Sequence, residues 1–410
     1  MTRKAIATVA ALCLSGMASA ETLRDAIAAA YATNPQLAVA QARQEALAET
    51  PEQARALGRL TVEVDGAGGY SRSDYGKGGS GSVTASLPIW TGGRVSSAVR
   101  AASRDVAAGA ESVRDTQAAV LEAVVGAYAD LLYAQQAVVV SRADIELLDN
   151  QVAEARSRFK LGQATRTDVA QLDAQRESAA ATLADAEGAE AAITATYRAT
   201  VGHSPGPLDA TPPAPATLPR NVNTAVSRAL EANPIVRQQR YAAGADAARI
   251  DQQRAERNPY VGLGGTYGYA AAGYANAAVA GVTVRVPLLT GGLISSRVRQ
   301  AEATYRADRF AVEAVERDAT RSAETAWANL AAAQARAHAN ARRVDAAELA
   351  LKGVRAEYAF SLRTTLDILI ADESLRAAQL ALARSRSDVL ISQAALLRAT
   401  GELGLRTYEP

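Results

Sequence analysis

Cysteine is almost missing: Cys13 is the only one in 410 residues. A chain with one thiol near its start has no disulfide framework and no thiolate metal cluster. Histidine is nearly as scarce, with only His203 and His338. That argues against a multi-histidine metal centre and against histidine-based acid–base catalysis. Aromatic residues make up 5% of the chain, against 49% hydrophobic residues overall, and much of the apolar content is alanine. Alanine favours helix but fills a thick core poorly. Neither sign of charge dominates. Removing residues 1–20 takes away Arg3 and Lys4 and leaves 42 basic against 43 acidic residues. A general polycation for nucleic acid is thereby disfavoured. No uninterrupted apolar run after the first twenty residues reaches the roughly 18 that a membrane helix needs.

Those first twenty residues read as an export signal. Arg3 and Lys4 open it, Ala5 to Leu14 form a short apolar run, and Ala18-Ser19-Ala20 fits the small-residue cleavage pattern. An exported chain without an anchoring helix enters a membrane only as closed β structure.

The rest of the chain is one unit written twice. Asn34-Pro35 returns as Asn233-Pro234, Tyr70 as Tyr269, Pro88 as Pro287, and Thr91-Gly92-Gly93 as Thr290-Gly291-Gly292. Asp168 returns as Asp367 and Gly202 as Gly401, always at a spacing of 199. One shared offset from end to end predicts two similar folding units related by pseudosymmetry. The expected division is a signal peptide (1–20), a first repeat (21–202), a proline-rich linker (203–220), a second repeat (221–404) and a short tail (405–410). Prolines at 205, 207, 212, 213, 215 and 219 keep the linker out of helix.

Within each repeat the order is helix, strand pair, very long helix, return helix. Asn34 and Asn233 are placed to cap helices that open on proline. Alternating Val62, Val64, Val83, Ala85 and Leu87, matched by Val261, Leu263, Val282, Val284 and Val286, predict β-hairpins over about 61–90 and 260–289. Long helices follow over about 94–160 and 293–359, with return helices over about 164–201 and 363–400. Val124, Leu131, Val138, Ile145, Val152 and Phe159 recur every seven residues, beside a smaller row of Ala127, Ala134, Ser141, Leu148 and Ala155. A sustained heptad implies left-handed coiled-coil packing. Each long helix of about 67 residues would be roughly 100 Å long. The remaining charged residues on these helices read mostly as a solvated face.

Four strands of about ten residues suit a tilted membrane barrel but cannot close one, since such barrels need about eight or more. Two copies would supply eight strands and three would supply twelve.

The chain resembles the TolC family of outer-membrane efflux proteins. The resemblance rests on Asn34-Pro35 and Asn233-Pro234 and on the strand exits Leu87-Pro-Ile-Trp-Thr-Gly-Gly93 and Val286-Pro-Leu-Leu-Thr-Gly-Gly292. It rests also on Arg158-Phe-Lys-Leu-Gly-Gln-Ala-Thr-Arg-Thr-Asp-Val169 and Glu357-Tyr-Ala-Phe-Ser-Leu-Arg-Thr-Thr-Leu-Asp-Ile368. It covers residues 21–404. It implies a mainly α fold with a small β part: a tandem-repeat long-helix bundle whose two β-hairpins join a shared, trimeric twelve-stranded outer-membrane barrel. The implied localisation is the outer membrane of a Gram-negative bacterium, reaching into the periplasm. The implied function is the exit duct of a tripartite efflux or type I secretion system, with no cofactor and no catalysis. The implied partners are two further copies, a periplasmic adaptor, an inner-membrane pump of RND or ABC type and outer-membrane lipid, with no nucleic acid. A periplasmic coiled-coil adaptor or scaffold is the alternative, although adaptors wrap a single hairpin in several β-rich modules.

The resemblance also assigns the tips. Lys160, Leu161, Gly162, Phe360 and Ser361 would receive the adaptor. Tyr358, Arg363, Asp367, Thr167 and Asp168 would hold the periplasmic gate, with an Arg363–Asp168 link keeping the helices curved inward. Asp367 would form an acidic ring at the entrance. Ile370 stands where the family often has a second acid, and Asp372 is expected to point elsewhere. Asp168 and Asp367 are equally suited to capping the helices after each turn, and the two roles are compatible.

Gly66-Ala-Gly68-Gly69 and Gly262-Leu-Gly264-Gly265 lie within strand signals and lack a phosphate-loop lysine. They read as strand glycines rather than a nucleotide loop.

Overall fold

The computed structural model describes residues 20–71, 76–213, 215, 217–270, 275–360 and 362–408. The expected signal peptide, apart from Ala20, lies outside the described residues. Helices α1 (Leu23–Thr33), α2 (Pro35–Ala48) and α3 (Thr50–Ala56) lead into strands β1 (Thr61–Ser71) and β2 (Gly76–Trp90). Helix α4 (Arg94–Lys160) and its return α5 (Arg166–Val201) complete the first half. The second half runs α6 (Val222–Ala232), α7 (Pro234–Ala255), β3 (Tyr260–Ala270), β4 (Ala275–Arg285), α8 (Leu293–Ala359) and α9 (Thr365–Ala399).

The asparagines before proline work as caps. Asn34 Oδ1 accepts from Gln36 N at 2.9 Å, and Asn233 Oδ1 accepts from Ile235 N at 2.9 Å. Proline at the first helical position loses nothing, because its missing N–H would have had no partner there. The halves differ in the helix that follows. Pro51 marks a break between α2 and α3, whereas α7 runs unbroken.

All four strands join one antiparallel sheet in the order β1-β2-β3-β4. Directly opposed residues share a face. One face carries Val62, Val64, Val83, Leu87, Leu263, Tyr267, Val282 and Val284. The other carries Glu63, Asp65, Ser82, Thr84, Ser86, Thr266, Thr283 and Arg285, together with Val279. On this second face the Thr84 and Thr266 hydroxyls meet at 3.3 Å across β2 and β3. The apolar face is not covered by the chain: Val64 is 77% exposed.

The main core sits where α1, α4, α5 and α9 converge. Leu121, Val124, Tyr128, Leu131, Tyr197, Val201 and Leu397 are buried there. Each fully buried aliphatic side chain contributes about 1.5–3 kcal/mol. The Tyr128 hydroxyl donates within reach of Glu21 O at 3.0 Å and Asp209 O at 2.9 Å, tying the inter-repeat segment to α4. Along α4 the small row Ala127, Ala134, Ser141, Leu148 and Ala155 is buried throughout, while the heptad row ends on Phe159, 47% exposed. Val152 one heptad earlier is still buried, so the larger row is exposed only at its last member, next to the turn.

Two details add to what the sequence implies. One stretch of α4 is apolar enough to cross a membrane by length and composition, through its density of alanine and valine rather than an uninterrupted run, and half of it is buried in the fold. The charged residues of the long helices are not all a solvated face. Asp144, Asp372, Asp246 and Glu111 are each at most 6% exposed. They are paired: Arg376 holds Asp144, Arg249 holds Asp246 and Arg237 holds Glu111. Arg376 and Arg237 reach their acids from a neighbouring helix and Arg249 from one turn along its own, and their charge makes these positions tolerable.

Candidate functional site at the helical tip

Both hairpins turn at the end of the bundle farthest along α4 and α8. After Lys160 the chain bends through Gly162, whose φ of +72° an L side chain adopts only with strain. A Cβ at Gly162 would meet nothing within 4 Å, so backbone conformation rather than crowding calls for glycine. The corresponding Ser361 lies outside the described residues.

Each return helix opens on the same capping box. Thr165 Oγ1 accepts from Asp168 N at 3.1 Å, and Asp168 Oδ2 accepts from Thr165 N at 2.9 Å. Thr364 and Asp367 repeat this at 3.3 and 2.8 Å. Donation from the threonine backbone N–H, and then from its hydroxyl, holds both carboxyls below the ordinary aspartate value. The capping role of these acids is therefore the one seen within the chain. Thr167 is exposed in the first turn of α5.

The expected Arg363–Asp168 link is not made within the chain. Arg363 Nε donates to Glu357 at 2.7 Å, with Asp367 4.0 Å away. Glu357 lies just across the tight turn, whereas Asp168 is occupied by its own helix start. The contact that does tie the two hairpins is Arg158–Tyr358. Arg158 Nη1 donates to the Tyr358 hydroxyl at 2.7 Å, and the guanidinium carbon lies 5.3 Å from the ring centroid. Arg158 also pairs with Glu154 at 2.6 Å. Sequence reasoning did not single out Arg158. Its position on α4, one residue before the heptad's Phe159, was the available signal.

Asp168, Arg158, Tyr358 and Thr364 line a cleft of about 560 Å³ between the hairpins, walled by Leu172 and Ile368. Deeper in the bundle, Asp372 points elsewhere than the exposed Ile370, as expected. It is buried, 3.2 Å from Arg376 and 3.7 Å from Arg355. Arg376 also holds Asp144 of α4. Burial pushes the Asp372 carboxyl up and the Arg376 guanidinium down. Two more arginines of α9 reach acids of α4: Arg384 meets Asp130 at 2.9 Å and Arg398 meets Glu122 at 2.6 Å. The second hairpin, α8–α9, is thus fastened to α4 by a row of arginine–carboxylate contacts, with Arg158–Tyr358 as the outermost tie.

The outer surface of the tip carries large apolar side chains among polar ones. Leu161, Phe360 and Leu362 are 73–79% exposed, and Ile370 is 58% exposed beside Asp367. Lys160 is exposed with them. Among the described residues no group of three or more His, Cys, Asp and Glu gathers to hold a metal.

The sequence profile described as outer membrane efflux protein matches this chain twice, over residues 26–203 and 225–402. The chain is 32% identical to the outer membrane efflux protein BepC of Brucella suis, over 97% of this chain and 91% of that one. It is 24% identical to the outer membrane protein TolC of Escherichia coli, over 98% and 87% of the two chains. Its fold is similar to that of CusC in a structure concerned with folding and transmembrane channel formation, with a TM-score of 0.81, 17% identity and coverage of 93% and 92%.

Proposed function

The chain belongs to the outer membrane efflux protein family, and from that premise we propose that three copies close a twelve-stranded barrel whose helical tip is the gate of the duct. The protein is a transport conduit of the outer membrane that extends into the periplasm, the exit duct of an efflux or secretion system, and not an enzyme. Members of its family work with a periplasmic adaptor and an inner-membrane pump.

One observation carries the reading: the four-stranded sheet is apolar on one face, polar on the other, and joined at one end to two hairpins about 100 Å long. An uncovered apolar face suits lipid, and the polar face carrying Glu63, Asp65 and Arg285 suits a water-filled lumen. The helices then carry the lumen across the periplasm to the tip.

At the tip, Arg158 and Tyr358 hold the inner hairpin α8–α9 against α4. Arg363 and Glu357 stiffen the second turn, and Asp168 and Asp367 fasten the starts of α5 and α9. Three copies of Asp367 around one axis would favour cations at the opening, more weakly than a double acidic ring because Ile370 adds no charge. Lys160, Leu161, Gly162 and Phe360 form the surface offered to an adaptor, with Ser361 beside them in sequence. The pump behind the adaptor is of RND or ABC type.

The test is conductance in a planar lipid bilayer. The wild type should give a low, cation-preferring conductance that rises when Arg158→Ala releases the tip. Equal conductance for the two in correctly assembled protein would remove the gate from this site.

A further inference from the structure

The two halves of the sheet obey one rule. Adding 199 to both members of the β1–β2 pair Thr61↔Ser86 gives the β3–β4 pair Tyr260↔Arg285, and the same shift maps that whole ladder onto the other. The middle ladder, β2–β3, joins the end of one repeat to the start of the next: Ser86 faces Gly264, Leu87 faces Leu263 and Trp90 faces Val261. Strand β4 is the repeat-equivalent of β2, and β1 is the repeat-equivalent of β3. Yet β4 and β1 are the two outer edges of the sheet, each with one side unpaired.

Three differences between equivalent segments mark what is missing. Strand β2 continues to Trp90, where its last residues pair with β3, but β4 stops at Arg285. The equivalents of Ile89 and Trp90 are Leu288 and Leu289, which are 86% and 96% exposed. The Thr-Gly-Gly turns have matching backbones, with φ of +63° at Gly92 and +57° at Gly291. A Cβ on Gly92 would lie 2.5 Å from Asn258 Cβ, so that turn is closely packed on the segment before β3; Gly291 has nothing within 4 Å. The segment equivalent to Ala255–Pro259 is Ala56–Leu60, at the opposite edge of the sheet, where Leu57 and Leu60 are 67% and 59% exposed.

We propose that β4 of one copy pairs antiparallel with β1 of a second copy in the register of the internal β2–β3 joint, placing Arg285 opposite Asp65, Val286 opposite Val64 and Leu289 opposite Val62. The partner is a second copy of this chain, and the inference rests on the shared-barrel reading above, to which it adds the residues in contact. Charge complementarity supports it independently. The repeat shift sets the basic residue of one bare edge against an acid of the other, both on the polar face, where a one-residue slip would set Arg285 against Val64 or Gly66 and invert every side chain. The valines and Leu289 then fall together on the apolar face. The joint also extends β4 through Leu289 and seats Gly291 on Ala56–Leu60 of the next copy, covering the exposed leucines at both edges. Lipid demands such closure, because an unpaired edge leaves backbone N–H and C=O groups without partners.

The mature chain contains no native cysteine, so cross-linking reads this contact directly. Within one chain β1 and β4 are three strand spacings apart, roughly 14 Å, too far for a disulfide. Val64→Cys combined with Val286→Cys, oxidised in outer membranes, should give a reducible band at the mass of three chains. Val64→Cys with Val284→Cys, the pair for a two-residue slip, should remain largely monomeric on the same gel. Asp65→Arg alone sets arginine against arginine and should reduce the assembled ring in mild detergent; adding Arg285→Asp should restore it. A three-copy particle in native mass measurement that cross-links through Val284→Cys, or gains nothing from the charge swap, would overturn this register and leave the conduit reading intact. A monomeric particle in native mass measurement would overturn both.

Discussion

The Tyr358 hydroxyl accepts a 2.7 Å hydrogen bond from Arg158, whose guanidinium also lies 5.3 Å from the Tyr358 ring. The pair joins α4 to α8 next to the turns. Because Arg158 is half-exposed, its net contribution is about 1 kcal/mol, below that of a buried charged hydrogen bond. Arg158→Ala should therefore shift the closed-to-open ratio of the tip by about fivefold towards open. Tyr358→Phe, which keeps the ring beneath the guanidinium, should shift it less. Single-channel open probability checks both, and a larger effect from Tyr358→Phe would contradict this division of roles.

The buried cluster should behave differently from the tip. Asp144→Ala leaves Arg376 without its partner on α4, at a side chain only 18% exposed. The expected loss is about 3 kcal/mol, read as a lower thermal midpoint of the helical circular dichroism signal. Asp144→Leu combined with Arg376→Met and Asp372→Leu removes the charges together and should cost less than Asp144→Ala. A triple variant more damaged than the single one would show that the contact contributes more than mutual compensation of buried charge.

Acid should reach these groups in a defined order. Burial raises Asp372 above its ordinary value of 3.8, so its protonated form is favoured by folding, and that contribution fades as pH rises through the raised value. The groups facing it are Arg376, Arg355 and, through Arg376, Asp144. Asp168 and Asp367 are lowered, so their contribution is present above 3.8 and is lost as pH falls through their lower folded values. Asp372 should therefore take up its proton first, with the caps still intact. The difference in thermal midpoint between wild type and Asp372→Asn should shrink as pH falls from neutrality towards 3.8. A difference that stays constant across that range would show that Asp372 does not titrate there.

Two glycines with left-handed backbone should respond unequally to alanine. Gly162→Ala meets open space and pays only the conformational strain, roughly 1–2 kcal/mol. Gly92→Ala pays that strain and also drives its Cβ to within 2.5 Å of Asn258 Cβ. The yield of folded protein in outer membranes should fall further for Gly92→Ala. Equal yields would mean that the α4 start relaxes around the clash.

Much of this architecture is legible in the residues. The 199-residue offset that pairs Pro88 with Pro287 also relates the two outer ladders of the sheet. The threonine–aspartate spacing at 165 and 168, repeated at 364 and 367, is the capping box itself. The polar contacts between helices are harder to read. Asp144 and Arg376 are 232 positions apart, and each alone looks like any charged residue on a long helix. Only the antiparallel run of α4 beside α9 brings them together, and burial then decides which partner each takes. Arg363 shows the same limit at short range: Glu357 across the turn captures it before Asp168 on the other hairpin.

Electron microscopy of the protein extracted from outer membranes in mild detergent tests the conduit most directly. The account predicts a threefold particle with a detergent belt around the sheet end and a helical rod of about 100 Å below it. A compact particle that stays soluble without detergent would contradict it.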